Sequence, residues 1–489
     1  MSSKRIFSGA AARQSRLTKI SSLVLLAGLV AAAAGVRASP SVFPTGVTRY
    51  DPAQAYNTYV VFSGQDKNTH LIDMDGNEVH RWDAEGFPPV LLDPALTGGA
   101  RGHVLLQLSS VSGTQNEGNG LRNQSIGELD WNGKIVWQWG AAGGSAGQVQ
   151  DAYAPAEQAS AGAPGGSAKQ HHDWRRLPNG NTLVLANLVH PLPGFAAPQV
   201  LDDVIYEVTP KGEVAWKWVA SEHLNEFGFS PKSLELIHAS LSPRGKAVPF
   251  DYLHINNMSV LGPNRWYDQG DRRFNPENIL IDSREANFIV ILDKQTGKVV
   301  WSLGPDYPAR TGAARSLPRP VDQITGQHDA HLIGPGLPGA GNLLVFDNQG
   351  EAGYPRVPVG VQPRSRVVEI DPVKKEIVWE YTGADSNGPE WSFYSSFISS
   401  ARRLPNGNTL IDEGMNGRIF QITSKGDIVW EYVSPYFAPS PVAGAGKQVL
   451  SNWLYRAQPV PYNWVPDGTP HAELPVAAPD LSKFRVVKN

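Results

Sequence analysis

Along most of the chain, apolar and polar residues alternate with a period of two. The runs are broken by Gly, Pro, Asn and Asp, which predicts short, half-buried strands joined by tight turns. The clearest stretch, VIYEVTPKGEVAWKW from Val204 to Trp218, is an alternating strand, a turn containing Lys-Gly and a second strand ending in Trp. IFQITSKGDIVWEY, from Ile419 to Tyr432, matches it almost position for position. The same unit recurs at HLIDMDGNEVHRW ending at Trp82, GELDWNGKIVWQW ending at Trp139, IVILDKQTGKVVW ending at Trp301 and VVEIDPVKKEIVW ending at Trp379. These are six copies of one hairpin, in the pattern that two-residue hairpin loops produce. The equivalent positions His80, Trp137, Trp216, Trp301, Trp379 and Trp430 lie 57, 79, 85, 78 and 51 residues apart, so a core unit carries insertions of different length.

A second hairpin precedes each copy. WRRLPNGNTLV, Trp174 to Val184, is nearly repeated as ARRLPNGNTLI, Ala401 to Ile411, with Asn-Gly supplying positive φ at the turn. Weaker versions run from Tyr59 to Phe62, His103 to Leu108, Met258 to Ile281 and Ala330 to Phe346. Four strands per repeat and six repeats predict an all-β fold, a six-bladed β-propeller of four-stranded antiparallel blades. That architecture closes twisted sheets on themselves without long exposed edges. The repeated Trp is expected to pack between neighbouring blades. The Gly-, Ala- and Pro-rich insertions at 140–170, 304–326, 349–364 and 434–448 are expected as loops on the propeller faces.

Composition agrees with this picture. The 49 Gly and 39 Pro exceed ordinary usage of roughly 7% and 5%, while 41% hydrophobic residues describe a folded chain. With no cysteine, disulfides, thiolate nucleophiles and Cys-ligated metals are excluded. Lys4, Arg5, Arg13, Arg16 and Lys19 precede an apolar run from Leu23 to Val36, and Val36-Arg37-Ala38 follows the small-residue cleavage pattern. Residues 1–38 therefore read as a signal peptide and 39–489 as a single propeller domain with a Pro-rich C-terminal tail, periplasmic or secreted. Cleavage removes six basic side chains from 43 and no acidic ones from 46, leaving a formal charge of −9. Nucleic acid is therefore not expected as a partner, nor membrane after cleavage. P-loop and HExxH signatures are absent.

The candidate chemistry gathers at blade starts. His171-His172-Asp173, Tyr252 to Asn257 around His254, and Gln327-His328-Asp329-Ala330-His331 each lead into an innermost strand. In a propeller that strand lines the channel, so pseudosymmetry brings these imidazoles to one mouth. Several imidazoles around one pocket outline group-transfer chemistry. His328 and His331, three apart in a strand, point to opposite faces, and no metal is expected. Arg284 and the Arg364-Ser365-Arg366 segment offer guanidinium groups to an anionic substrate. Trp174, Trp391 and Tyr394 offer aromatic walls.

DYLHINN followed by NILIDSREANFIVILD, GQHDAH followed by NLLVFDNQG, SRVVEID, and RRLPNGNTLIDEGMNGRIFQITSKGDIVWEYV together resemble the bacterial arylsulfotransferases that do not use a phosphoadenylyl sulfate donor. The resemblance spans about residues 50–460 and implies a periplasmic six-bladed propeller without a cofactor. It implies ping-pong transfer of a sulfuryl group from a small aryl sulfate donor to a phenolic acceptor through a sulfohistidine. By motif position it makes His254, His328 and Arg366 catalytic, with Asn256 and Asn348 as orienting groups. His171 and His172 join them as catalytic candidates, and Arg284, His331 and Tyr394 as substrate-binding ones.

This chain departs from the family at one position. The family's nucleophilic histidine lies late in the chain, yet after His331 only His471 remains, and Ser399, next to Ser400, stands where His172 has its repeat equivalent. His171 or His172, His471 folded back, or a changed reaction all answer that departure. Two other classes remain open: a noncatalytic binding propeller, and a quinoprotein-like one suggested by Ile291 to Trp301, which is similar to a tryptophan-docking repeat.

Overall fold

A computed structural model describes residues 44–108, 126–139, 169–309, 316–441 and 448–478. The expected signal peptide and most of the 140–170 insertion lie outside the described residues. The described chain forms the six expected blades of antiparallel strands. The innermost strands are Gln458–Val460, Val90–Leu91, Lys169–Arg176, Ile255–Val260, His328–Leu332 and Ser400–Arg403, for blades 1 to 6 respectively. Second and third strands such as Ile279–Ser283 and Phe288–Leu292 are buried at every residue because a neighbouring blade covers each face. Outermost strands such as Ile135–Trp139 are covered on one side only and stay largely exposed.

The hairpin between the third and fourth strands differs from the expected two-residue loop. In blade 3, Gly212 N–H donates to Thr209 O and Thr209 N–H to Glu213 O, both at 2.8 Å, enclosing three residues with Gly212 alone at positive φ. This is a type I turn closed by a left-handed glycine, and it needs one positive φ rather than two. Blades 1, 2 and 6 repeat it at Gly76, Gly133 and Gly426. The extra residue leaves its mark as a register shift at the same place in all six blades, for example between Glu128 and Leu129 and between Gln421 and Ile422.

Tryptophans join the blades as expected. Trp82 Nε1 donates to Asp130 O, Trp218 to Gly297 O, Trp301 to Pro372 O, Trp379 to Ser424 O and Trp430 to Met74 O. Each indole reaches the turn of the next blade, and the last bond links blade 6 to blade 1. In blades 1 and 3 the donor sits two residues beyond the repeat-equivalent position, which keeps it on the same strand face.

The closure uses both ends of the chain. Gly46–Tyr50 adds an outer fifth strand to blade 6, pairing with Ile428–Val433. Gln458–Val460 pairs with Tyr59–Ser63 and supplies the innermost strand of blade 1. Aspartates fasten the inner strands: Asp173 accepts from Met258 N–H, Asp203 from Ile255 N–H, Asp282 from Ala330 N–H and Asp329 from Ala401 N–H. Arg456, fully enclosed, reaches Asp173 at 3.1 Å and Asp329 at 3.2 Å across the channel.

Candidate active site at the channel mouth

Where innermost strands begin, the backbone turns into the left-handed region. His172 has φ +64°, His254 +51°, Asp329 +60°, Ile398 +57° and Ser399 +90°. Such values in non-glycine residues cost energy and cluster at sites the surrounding structure must hold in place. Here they interrupt the strand alternation, and His172, His254 and Ile398 reach a cavity of about 440 Å³ lined by segments of all six blades. His172, His254 and His328 line it, with Phe87 from the start of blade 2, Ile398 from blade 6 and Tyr455 from the segment entering blade 1.

Two imidazoles meet in the cavity. His172 Nε2 and His254 Nε2 are 2.9 Å apart, and His254 Nδ1 lies 2.8 Å from Asp251 Oδ2. An Asp-His-His line results, with the carboxylate on the far nitrogen of the central ring. Phe87 stacks on Tyr455 at 3.9 Å, and Tyr455 stacks on His172 at 5.1 Å, forming an aromatic wall beside the pair. On the other side Arg284 and Arg356 share the Glu285 carboxylate, with Arg356 Nη1 at 2.7 Å. Two guanidinium groups against one carboxylate leave positive charge facing the space, and Arg244 also lines it. Burial raises the Glu85 carboxyl, on the same lining, above its ordinary range.

His328 also borders the cavity, but both of its ring nitrogens are committed. Nδ1 donates to Asn348 Oδ1 at 2.8 Å, and Nε2 accepts Ile398 N–H at 3.1 Å. Burial pushes its pKa well below the usual histidine range, so it is a neutral clamp between blades 5 and 6. Asn348 completes that clamp by donating to Ser395 O and Ile398 O. Asn256 donates to Gln327 O and accepts the Tyr455 hydroxyl on its backbone oxygen, so it positions the aromatic wall from behind.

Several candidates from the sequence are not brought to the cavity. Arg366 is fully buried among Asp322, Asp347 and Glu380, and these carboxylates make it a structural cation rather than an anion clamp. His331 contacts Asp329 O at 2.7 Å, and burial and the nearby Arg402 push its pKa well below the usual range. Tyr394 serves blade 6, its N–H donating to Glu413. Trp174 lies in an interblade core, and Trp391 is 60% exposed away from the cavity. His471 stacks on Tyr462 at 4.0 Å and does not line the mouth. Ser399 donates to Ser395 Oγ, and its blade offers Phe397 and Ile398 to the cavity where the family pattern has a histidine.

The arylsulfotransferase (ASST) pattern matches residues 149–433, more than half of the chain, which takes in the four consecutive strands of each of blades 3 to 6. The chain belongs to the arylsulfotransferase family. No curated protein matches it. Among solved structures, a protein of unknown function from Bacteroides caccae is 14% identical, covering 83% of this chain and 99% of its own, with a TM-score of 0.43. A putative 6-phosphogluconolactonase from Bacteroides fragilis is 9% identical over 82% and 97%, with a TM-score of 0.33. Virginiamycin B lyase from Staphylococcus aureus is 12% identical over 80% and 84%, with a TM-score of 0.31.

Sequence reasoning missed Asp251, Phe87, Tyr455, Arg244 and Arg356. Asp251 stands three residues before His254, and a search for a carboxylate beside each blade-start histidine finds it. Phe87 precedes an inner strand of two residues, too short to show alternation. Tyr455 belongs to a segment assigned to blade 1 only by chain closure, and the two arginines sit in insertions without a repeat counterpart.

Proposed function

We propose that this arylsulfotransferase-family protein moves a sulfuryl group from an aryl sulfate to a phenol at the mouth cavity, with His254 as nucleophile and His172 as acid and base. The observation that carries the reading is the 2.9 Å contact between the two Nε2 atoms, with Asp251 behind His254. With its Nδ1–H donated to Asp251, His254 keeps the Nε2 lone pair for attack and accepts the Nε2–H of His172 at rest. His254 is also the more open of the two, its side chain 16% exposed.

Attack of His254 Nε2 on sulfur breaks the S–O(aryl) bond, and the electron pair leaves on the aryl oxygen. That oxygen takes the His172 proton and departs as the phenol. In the second half, His172 accepts the proton of an acceptor phenol, whose oxygen attacks sulfur and breaks the N–S bond. The excess positive charge of Arg284 and Arg356 faces the sulfuryl oxygens, and the Phe87–Tyr455 wall takes the ring. On this reading His254 replaces the late histidine of the family pattern. Export to the periplasm belongs to the same proposal, supported by the N-terminal charge and hydropathy pattern.

The test uses two donors and two variants. His254→Ala abolishes the mass gain of one sulfuryl group in single-turnover labelling with 4-nitrophenyl sulfate. His172→Ala lowers turnover roughly 100-fold with phenyl sulfate, whose leaving oxygen needs a proton. It costs far less with 4-nitrophenyl sulfate. A sulfuryl adduct surviving His254→Ala, or no phenol-stimulated release from any aryl sulfate, overturns the proposal, and the second result favours a binding propeller.

A further inference from the structure

Sulfuryl transfer at the mouth uses two imidazoles, whereas three converge there. His171 and His172 are sequence neighbours whose side chains a regular strand would send to opposite faces. The left-handed backbone at His172 cancels that alternation, and their ring centroids lie 3.9 Å apart. His254, from the next blade, sits 4.9 Å from His171 and 4.8 Å from His172. One ring nitrogen from each of the three falls within 4.8 Å of the others.

The geometry favours a cation at this point. Two Nε2 atoms 2.9 Å apart cannot both carry a hydrogen towards each other, so at least one of them turns a lone pair to the other ring. The outer nitrogens are turned towards carboxylates: His254 Nδ1 to Asp251 at 2.8 Å, and His171 Nδ1 to Asp203 Oδ1 at 3.7 Å. A carboxylate behind a ligating imidazole orients the ring and raises its basicity. Three neutral nitrogen donors with no thiolate suit borderline dications such as Zn(II), Co(II) or Ni(II), and disfavour Ca(II) and Mg(II), which take oxygen. The two carboxylates behind the rings offset the ion's charge. His172 and His254 both line the cavity, so a fourth coordination position opens into it.

We propose that His171, His172 and His254 bind one zinc-class dication, with an open coordination position facing the mouth cavity. The ion takes the same Nε2 lone pairs that sulfuryl transfer requires, so the metal-bound and transfer-competent states exclude each other. The inference goes beyond the transfer reading and stands without it, because binding is measured in the absence of turnover.

The experiment titrates untagged, chelator-treated, desalted full chain with Co(II). The expected result is one equivalent bound, with visible absorption of tetrahedral intensity that Zn(II) displaces. Asp251→Asn, which keeps all three ligands, weakens binding about 10- to 100-fold. His254→Gln, at the partly exposed edge of the site, abolishes the tetrahedral spectrum, and His171→Gln does the same, each read on a chain that circular dichroism shows to be folded. Failure to bind one equivalent of Co(II), or a spectrum that survives His254→Gln, overturns the proposal. Sulfuryl transfer assayed in chelator is a separate readout: its absence beside an intact Co(II) spectrum counts against the transfer reading alone.

Discussion

Asp412 shows what burial does to a single residue in this channel. It is 1% exposed, and neither carboxylate oxygen has a hydrogen-bond partner among the described residues. Burial, and then the charges of Asp329 and Glu413, raise its pKa well above the ordinary carboxylate range. The folded state therefore holds this proton more tightly than the unfolded chain, whose Asp titrates near pH ~3.9. The resulting stability is present in full below that value and is lost as pH rises through the folded pKa. Asp412→Asn should raise the melting temperature at pH 8, by the equivalent of about 1 kcal/mol or more, and gain little near pH 4. An equal gain at both pH values in scanning calorimetry would contradict the assignment. The same scale shows why a motif does not reveal the surroundings of Arg366 and His328. Residue type and spacing identify a guanidinium or an imidazole, but whether it faces substrate or three carboxylates depends on neighbours 14 to 44 positions away, as with Glu380, Asp347 and Asp322 around Arg366.

At the scale of elements, the hairpin unit carries its own joint. The outermost strand supplies an indole, and the following blade supplies a turn carbonyl, so one repeated sequence both builds a sheet and docks it to the next. Burial decides the value of each joint. Trp430 is fully buried and donates at 2.7 Å, whereas the Trp379 bond is exposed and 3.2 Å long. Trp430→Phe leaves Met74 O without this donor and should cost about 1–3 kcal/mol in chemical denaturation. Trp379→Phe should stay within about 0.5 kcal/mol. Equal costs would mean that the indoles act by packing alone. The alternating pattern was enough to place these strands and the Trp seams. Turn length was not legible from the same pattern, because Lys-Gly fits both a two-residue loop with two positive φ values and a three-residue loop with one, and the bulge appears only in the pairing.

For the whole molecule, closure is the decisive event. Blade 1 takes three strands from Tyr59–Trp82 and its innermost strand from Gln458–Val460, and the same returning segment delivers Tyr455 to the aromatic wall and Arg456 to the channel. Removing residues 448–489 should therefore abolish the cooperative melt together with the proposed sulfuryl transfer, and a peptide covering residues 448–478, added in trans, should restore part of both. A truncated chain that melts like the full one would mean the ring closes without this strand. Periodicity, turn residues and six tandem copies by themselves determined an all-β propeller of six blades, because strand pattern and repeat count are local properties of the chain. The mouth was partly legible for the same reason: blade starts recur, so His172, His254 and His328 could be placed at one end of the channel. Only the tertiary structure decided which of them touch, which is clamped, and what surrounds them. Those outcomes rest on left-handed turns at the strand starts, on insertions without repeat counterparts and on a strand returned from the far end of the chain, and each of these depends on contacts between residues distant in sequence.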